Sequence, residues 1–265
     1  MTTLFVLQML GLGVSVGLIS NALGLGGGVF MVPGFLTFVE GMDAKTAKGT
    51  SLVVIVLVAA INTWRLNRGS HDWNWRLAGI IASGSIVGSY TSSWFTTRHY
   101  VSNAVVIWCF IGLLLLTGVR TFFIKEPKVA EKDIRTRNMT AIFIGVATGV
   151  VAGASGVGGG VVLVPLALLA GIVSNERVVA LSNMVMVATC TVGALAHAMA
   201  ERTVDLPFTY GNVNLALVPL VFISAQVAGP AGRWANGQLG LRRRKVVMGV
   251  VVILIAIQLA YRALR

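Results

Sequence analysis

Two glycine-rich runs are the residues of this sequence whose types and spacing best suit contact with a ligand. Gly24 to Pro33 reads GLGGGVFMVP, and Gly156 to Pro165 reads GVGGGVVLVP. Glycine lets the backbone come close to a bound group because no side chain intervenes. Each run also precedes an apolar segment, so its N–H groups would form a free helix N-terminus, which binds anions through oriented donors and the helix dipole. We therefore predict one anion site, formed where the two runs come together.

Small hydroxyl and amide side chains lie beside the runs or at the start of the following apolar span, where they could donate to the oxygens of an anion. The predicted substrate-binding residues are Asn21, Gly24, Gly26, Gly27, Gly28, Thr50, Ser51, Ser155, Gly156, Gly158, Gly159, Gly160, Ser182 and Asn183. The alternative is structural, because membrane helices also use Gly, Ser and Thr to pack closely. Under that alternative the glycines serve packing and the hydroxyls contact no ligand.

The distribution of acidic side chains excludes several other kinds of chemistry. The chain has 9 Asp and Glu, and all of them fall in loops or at the ends of apolar spans. A cation as the main substrate, proton coupling through carboxylates and catalysis by paired carboxylates are therefore disfavoured. The two cysteines and three histidines show no metal-binding spacing. The sequence predicts neither an enzyme nor a bound cofactor or metal.

Composition assigns the chain to the membrane. Of its 265 residues, 56% are hydrophobic and only 11% are charged, whereas a soluble domain carries about 25% charged residues. No charged side chain precedes Glu40, and uncharged apolar stretches of this kind are typical of transmembrane helices. A soluble enzyme, a disordered chain and a nucleic-acid-binding protein are excluded. The net charge of +12 then reflects basic loops between apolar spans.

The chain also contains an internal repeat. The two glycine-rich runs are identical at seven of ten positions when Gly24 is aligned with Gly156. The match extends at this offset to Gly17 with Gly149 and to Thr50-Ser51 opposite Ser182-Asn183, and at a slightly larger offset to Trp94 with Trp234. We predict a first membrane repeat at residues 1–124, a charged cytoplasmic linker at 125–138 and a second membrane repeat at 139–265.

The distribution of Lys and Arg predicts how the repeats lie in the membrane. Each repeat opens with an apolar tract of about 36 residues, well beyond the roughly 20 that cross a bilayer once. If this tract doubles back at its glycine run, 15 of the 21 Lys and Arg gather on one side, as cytoplasmic loops require. Each repeat is then a glycine-broken helical hairpin followed by three transmembrane helices, and the two repeats are inverted. The predicted fold is an all-α polytopic membrane protein with both termini outside.

With two copies of a GxGGGxxxVP signature, the sequence resembles the sulfite exporter TauE/SafE family of membrane transporters. The matching residues are Gly24, Gly26, Gly27, Gly28 and Pro33, then Gly156, Gly158, Gly159, Gly160 and Pro165. Thr50-Ser51 resembles the polar pair that begins the next helix in that family, and the second copy departs from it with Ser182-Asn183.

The resemblance implies transport of a small sulfur-containing anion across a bacterial inner membrane. The expected substrate is sulfite or an organosulfonate such as sulfoacetate, moved by a secondary carrier. Two alternatives stay open from the sequence: an anion channel for small oxyanions, and a non-transporting membrane scaffold or subunit. The expected partners are the anionic substrate and the lipid bilayer, with no nucleic acid.

Overall fold

A computed structural model describes residues 3–24, 26–68, 74–97, 134–238 and 240–263, together with residues 108, 111, 112, 115, 118 and 119. In the first half of the chain the helices are α1 (Thr3–Leu23), α2 (Gly28–Phe38), α3 (Ala44–Asn67) and α4 (Trp75–Thr97). In the second half they are α5 (Ile134–Ser155), α6 (Gly160–Leu169), α7 (Val178–Ala198), α8 (Leu217–Gln238) and α9 (Leu241–Ala263). Two strands, β1 (Thr209–Tyr210) and β2 (Val213–Asn214), form an antiparallel pair before α8.

The helices have the length and apolarity of a polytopic membrane protein. Within the described ranges, α1, α3, α5 and α7 are long and apolar enough to cross a bilayer, whereas α2 and α6 are apolar but short. Large apolar side chains such as Phe143 and Val227 are exposed on the outside of the bundle, where lipid would cover them. The predicted transmembrane helix of the first repeat that follows α4 lies largely outside the described residues.

The structure adds two details to the predicted organisation. Helix α5 begins at Ile134, so residues 134–138 of the predicted linker are helical, and residues 125–133 lie outside the described residues. A helix extends beyond its apolar run when polar good helix formers such as Arg135 and Arg137 continue it. The fold is also not purely helical, because the short ladder of β1 and β2 precedes α8.

Each opening tract doubles back at its glycine run. A Cβ built on Gly27 would stand 2.5 Å from Cγ1 of Val16, and one on Gly34 would stand 2.7 Å from Cδ1 of Leu12. Helix α2 therefore returns along α1, and their apolar side chains share one core cluster with those of α3. In the second half α6 packs in the same way on α5 and α7, around a second core cluster.

The long helices pack across the two halves in matching pairs. Helix α1 lies against α8, α5 lies against α4, and α3 lies against α7. A Cβ on Gly17 would overlap the carbonyl oxygen of Ala225, and one on Gly149 would overlap that of Ser85. Gly17 and Gly149 are as far apart in the sequence as the two glycine runs are, and Ser85 and Ala225 are as far apart as Trp94 and Trp234. The two contacts are therefore equivalent in the repeat. Glycine at these crossings lets the backbones approach, as is usual between membrane helices.

Candidate functional site

The two glycine runs adopt the same backbone conformation. Gly24, Gly26 and Gly27 have φ angles of +73°, +82° and +65°. Gly156, Gly158 and Gly159 have +72°, +92° and +73°. These are left-handed angles that L-residues with a side chain rarely adopt. Three glycines in each run therefore set the break that separates a long helix from the short helix after it.

The breaks lie against each other in the interior. A Cβ built on Gly28 would stand 2.8 Å from the carbonyl oxygen of Gly156 and 2.8 Å from Cα of Val157. One built on Gly26 would stand 3.2 Å from the carbonyl oxygen of Val157. The structure thus brings together the two runs that were predicted to share a site, and no side chain fits between them.

Each break is held by a serine from the other half of the chain. Ser51 donates a hydrogen bond of 2.8 Å to the carbonyl oxygen of Gly156, and Ser182 donates one of 2.8 Å to that of Gly24. Both hydroxyls are fully buried. Ser51 and Ser182 are therefore the equivalent residues of the two halves. The sequence comparison had instead aligned Thr50 with Ser182, which was one position out of register. The second half has one residue fewer than the first between its glycine run and this serine.

The other predicted polar residues are dispersed around the breaks. The hydroxyl of Thr50 donates to the carbonyl oxygen of Thr46 and accepts from the N–H of Asn214, so its only donor is used away from the breaks. Ser155 donates to Val151 and accepts from the N–H of Val157, which fixes the end of α5. Asn183 bonds the carbonyl oxygen of Val179 and faces Asn62 of α3 across 3.4 Å. These contacts are intramolecular and bind neighbouring elements together.

Backbone donors remain available where the second break meets α6. Val162 and Leu163 donate to the carbonyl oxygen of Gly159, whereas no acceptor in the described part of the chain takes the N–H groups of Gly159, Gly160 and Val161. Unused N–H groups in the first turn are a general property of helix N-termini. They belong to the second break and to the first turn of α6, next to the residues that the first break approaches.

A cluster that sequence analysis missed lies beside Asn21, at the end of α1. Nη1 of Arg233, Nδ2 of Asn21 and Nη1 of Arg65 lie 3.2, 3.4 and 3.9 Å from the point where a Cβ on Gly229 would stand. Arg65 donates a 2.8 Å hydrogen bond to Oε1 of Gln226. We call these four side chains, Asn21, Arg65, Gln226 and Arg233, the arginine niche.

The arginine niche has an excess of positive charge. Nη1 of Arg233 and Oδ1 of Asn21 are buried and bond no described residue. The charge of Arg65 acts on Arg233, and no ion pair joins either arginine to a carboxylate in the described part of the chain. Both arginines lie at the ends of predicted spans, and in the sequence they indicated only the topology. Gln226, a polar residue inside an apolar span, was the signal that could have located the niche.

Comparison with known proteins places the chain in a family. The profile of the sulfite exporter TauE/SafE family matches residues 9–259. The chain belongs to that family. Similar proteins include the probable membrane transporter protein YunE of Bacillus subtilis, 28% identical with 96% of each chain covered. The probable membrane transporter protein MJ0441 of Methanocaldococcus jannaschii is 26% identical, with 91% of this chain and 90% of that protein covered. No solved structure matches this chain.

Membership in the TauE/SafE family settles the class of the protein. It is a multi-pass membrane transporter of a small solute, and it is not an enzyme. The glycine breaks and the arginine niche are then candidate elements of a transport pathway.

Proposed function

We propose that this TauE/SafE family protein is a secondary transporter that carries a small sulfur-containing anion across a bacterial inner membrane. Sulfite and organosulfonates such as sulfoacetate are the candidate substrates. The observation that carries the proposal is the arginine niche, where two guanidinium groups face each other with no described carboxylate beside them. Two adjacent positive charges repel each other, and an anion between them would relieve that repulsion.

The touching breaks are the proposed crossing point between the halves, and they must separate for the anion to pass, because no side chain fits between them in this structure. Backbone N–H groups of Gly159, Gly160 and Val161 would donate to it, aided by the dipole of α6. Ser51 and Ser182 already donate to the carbonyl oxygens of the breaks, so we assign them the role of holding the glycines in position. Of the predicted polar residues, only Asn21 belongs to the arginine niche.

We also propose that residues 1–124 and 139–265 are inverted repeats with both termini outside. The support comes from contacts that recur at fixed offsets, such as Gly17 on Ala225 with Gly149 on Ser85. The antiparallel packing of α3 on α7 agrees with this arrangement, because Gly49 lies against His197 whereas Asn62 lies against Asn183. Cysteine labelling at position 130 tests it: reaction from the outside alone would reject a cytoplasmic linker.

Flux in proteoliposomes tests the transport function. The purified protein would be assayed for counterflow of labelled sulfoacetate and sulfite, with sulfate and a carboxylate as competitors. We expect saturable uptake of a sulfonate or sulfite that exceeds empty liposomes and is inhibited by the unlabelled substrate. An anion channel would give flux without counterflow. A scaffold would give no flux of any of the four anions, and that result would reject the transporter proposal.

A further inference from the structure

A second group of buried polar side chains lies at the other end of α3. The stem of Lys48 lies against the second break, where a Cβ built on Gly156 would stand 2.6 Å from Cα and 2.9 Å from Cγ of the lysine. One turn earlier on α5, a Cβ on Gly153 would stand 2.6 Å from Oγ of Ser93. His197, at the end of α7, lies near the backbone of Gly153 without reaching hydrogen-bond geometry. We call Lys48, Ser93 and His197 the lysine niche.

The polar side-chain atoms of His197 and Ser93 are buried without partners among the described residues. His197 is 1% exposed and Ser93 is 0% exposed, and neither ring nitrogen of the histidine nor Oγ of the serine bonds any residue that the structure describes. Lys48 is 6% exposed, and no described residue accepts a hydrogen bond from its ammonium group. Buried polar groups without partners are costly, so their concentration at one place indicates an occupant.

The charges around the niche indicate the chemistry of that occupant. Asp43 and Lys45 are the charged groups in the described ranges that act on Lys48. The carboxylate of Asp43 already accepts from the N–H of Thr46 and the hydroxyl of Thr203, and Lys45 donates to the carbonyl oxygen of Thr97. What remains is an ammonium group, a hydroxyl and an imidazole N–H, which are three kinds of donor. An acceptor-rich anion satisfies all three.

The lysine niche lies at a position that the internal repeat relates to that of the arginine niche. Asn21 and Gly153 are as far apart in the sequence as the two glycine runs are, and Ser93 and Arg233 are as far apart as the tryptophan pair. The two niches lie at opposite ends of α3, about 25 Å apart along the helix between Lys48 and Arg65. Ile55, between them on α3, contacts both breaks at Gly28 and Gly158.

We propose that Lys48, Ser93 and His197 form a second oxyanion-binding site, which the transported anion occupies on the opposite side of the breaks from the arginine niche. This inference rests on the proposed transport function. In it the substrate moves between two cationic niches through the region where the breaks touch. A small tetrahedral or pyramidal oxyanion head, such as a sulfonate or sulfite, suits three donors that come from α3, α4 and α7.

The test uses the imidazole as a reporter. The chain has three histidines, so ¹⁵N-histidine labelling of the full-length protein in detergent gives few resonances, and His197→Gln assigns the relevant one. We expect sulfoacetate to shift the His197 resonance saturably, whereas chloride at equal ionic strength does not. Lys48→Met should weaken the apparent affinity roughly tenfold to a hundredfold, as for loss of one hydrogen bond to a charged group. Ser93→Ala should weaken it less.

Matched controls separate the niche from general electrostatics. Lys45 lies one turn from Lys48 and already donates to the carbonyl oxygen of Thr97, so Lys45→Met removes the same charge without emptying the niche. Ser83→Ala removes an exposed hydroxyl from the helix that carries Ser93. Both should keep the wild-type affinity. Equal weakening by Lys45→Met and Lys48→Met would overturn the proposed site.

Flux measured on the same preparations distinguishes this inference from the transport function. If sulfoacetate is transported but causes no shift of the His197 resonance at saturating concentration, the second site is wrong and the transport function stands. If the resonance shifts but no anion is transported, the transport function fails, and with it the claim that the niche lies on a transport pathway.

Discussion

The two halves of the molecule share their backbone at the glycine breaks and differ in the side chains beside them. Both breaks have three glycines at left-handed φ angles and both are held by a serine from the opposite half. Yet Gly156 lies against Lys48, whereas Gly24 lies against Val179. The ends of α1 and α5 differ in the same way. Arg233 lies beside Asn21 at the end of α1, whereas Ser93 lies beside Gly153 at the end of α5.

The backbone that the two halves share is structural, and the side chains in which they differ are the ones that could bind an anion. The two breaks have the same backbone conformation because both meet the same steric requirement at the glycines. Charge at the two niches comes from unlike residues, a guanidinium pair in one and an ammonium with an imidazole in the other. Guanidinium groups form planar, bidentate contacts with oxyanions, and an ammonium acts as a point charge. The two ends of the proposed pathway would therefore bind the same anion with different geometry and strength.

The largest effect is expected from substitutions that break the shared backbone. Gly27→Val and Gly159→Val each place a β-branched side chain at a left-handed φ, and the added Cβ would stand 2.5 Å from Val16 and 2.6 Å from Thr148. The combined strain and overpacking should cost about 2–5 kcal/mol, similar in the two halves. Thermal unfolding in detergent measures it. Gly11→Ala, where a Cβ meets nothing within 4 Å, is the control, and a stable Gly27→Val protein would contradict the steric role.

Next in size is the removal of charge from the arginine niche. Arg233→Met should leave the fold intact, since it relieves repulsion from Arg65, but should reduce sulfoacetate affinity roughly tenfold to a hundredfold. Arg68→Met is the matched control, because Arg68 lies at the same end of α3 but stacks on Trp64 at 5.0 Å. Counterflow at several substrate concentrations measures both variants. Unchanged affinity in Arg233→Met would move the anion site away from this niche.

The two serines provide a test of equivalence. Ser51→Ala and Ser182→Ala each remove one buried hydrogen bond to a break carbonyl, so each should lower the free energy of unfolding by about 0.5–1.5 kcal/mol. If the hydroxyls only hold the breaks, substrate should protect both variants from thermal unfolding as well as it protects the wild type. A selective loss of protection in one variant would show that this serine contacts the anion.

The fold was largely predictable from the sequence because it depends on patterns that one sequence contains. Uncharged apolar runs predict helices that cross a membrane, and the repeated glycines predict the breaks. The niches were not predictable, since they depend on which ends of α1, α3, α4, α7 and α8 meet in space. Arg65 and Gln226 lie in opposite halves of the chain, and no local pattern connects them. Nor could spacing show that Ser51 bonds a glycine carbonyl and not a ligand.

The smallest effect concerns the start of α3, beside the lysine niche. Asp43 caps this helix by accepting from the N–H of Thr46, whereas Arg177 begins α7 with no side-chain cap. Burial acts to raise the pKa of Asp43, but hydrogen bonds from Thr46, Thr203 and the Lys45 backbone outweigh it and hold the pKa below its usual value. The charged form is therefore favoured in the folded state, and its contribution to stability is present above the unfolded pKa near 4.

That contribution should disappear as the pH falls from about 4 through the lower folded pKa. Asp43→Ala should cost about 1 kcal/mol at neutral pH. Asp43→Asn should retain most of the cap and lose the acid dependence of this group. Thermal unfolding from pH 7 to pH 3 compares the three proteins. Equal acid sensitivity in the wild type and Asp43→Asn would show that this carboxylate does not contribute.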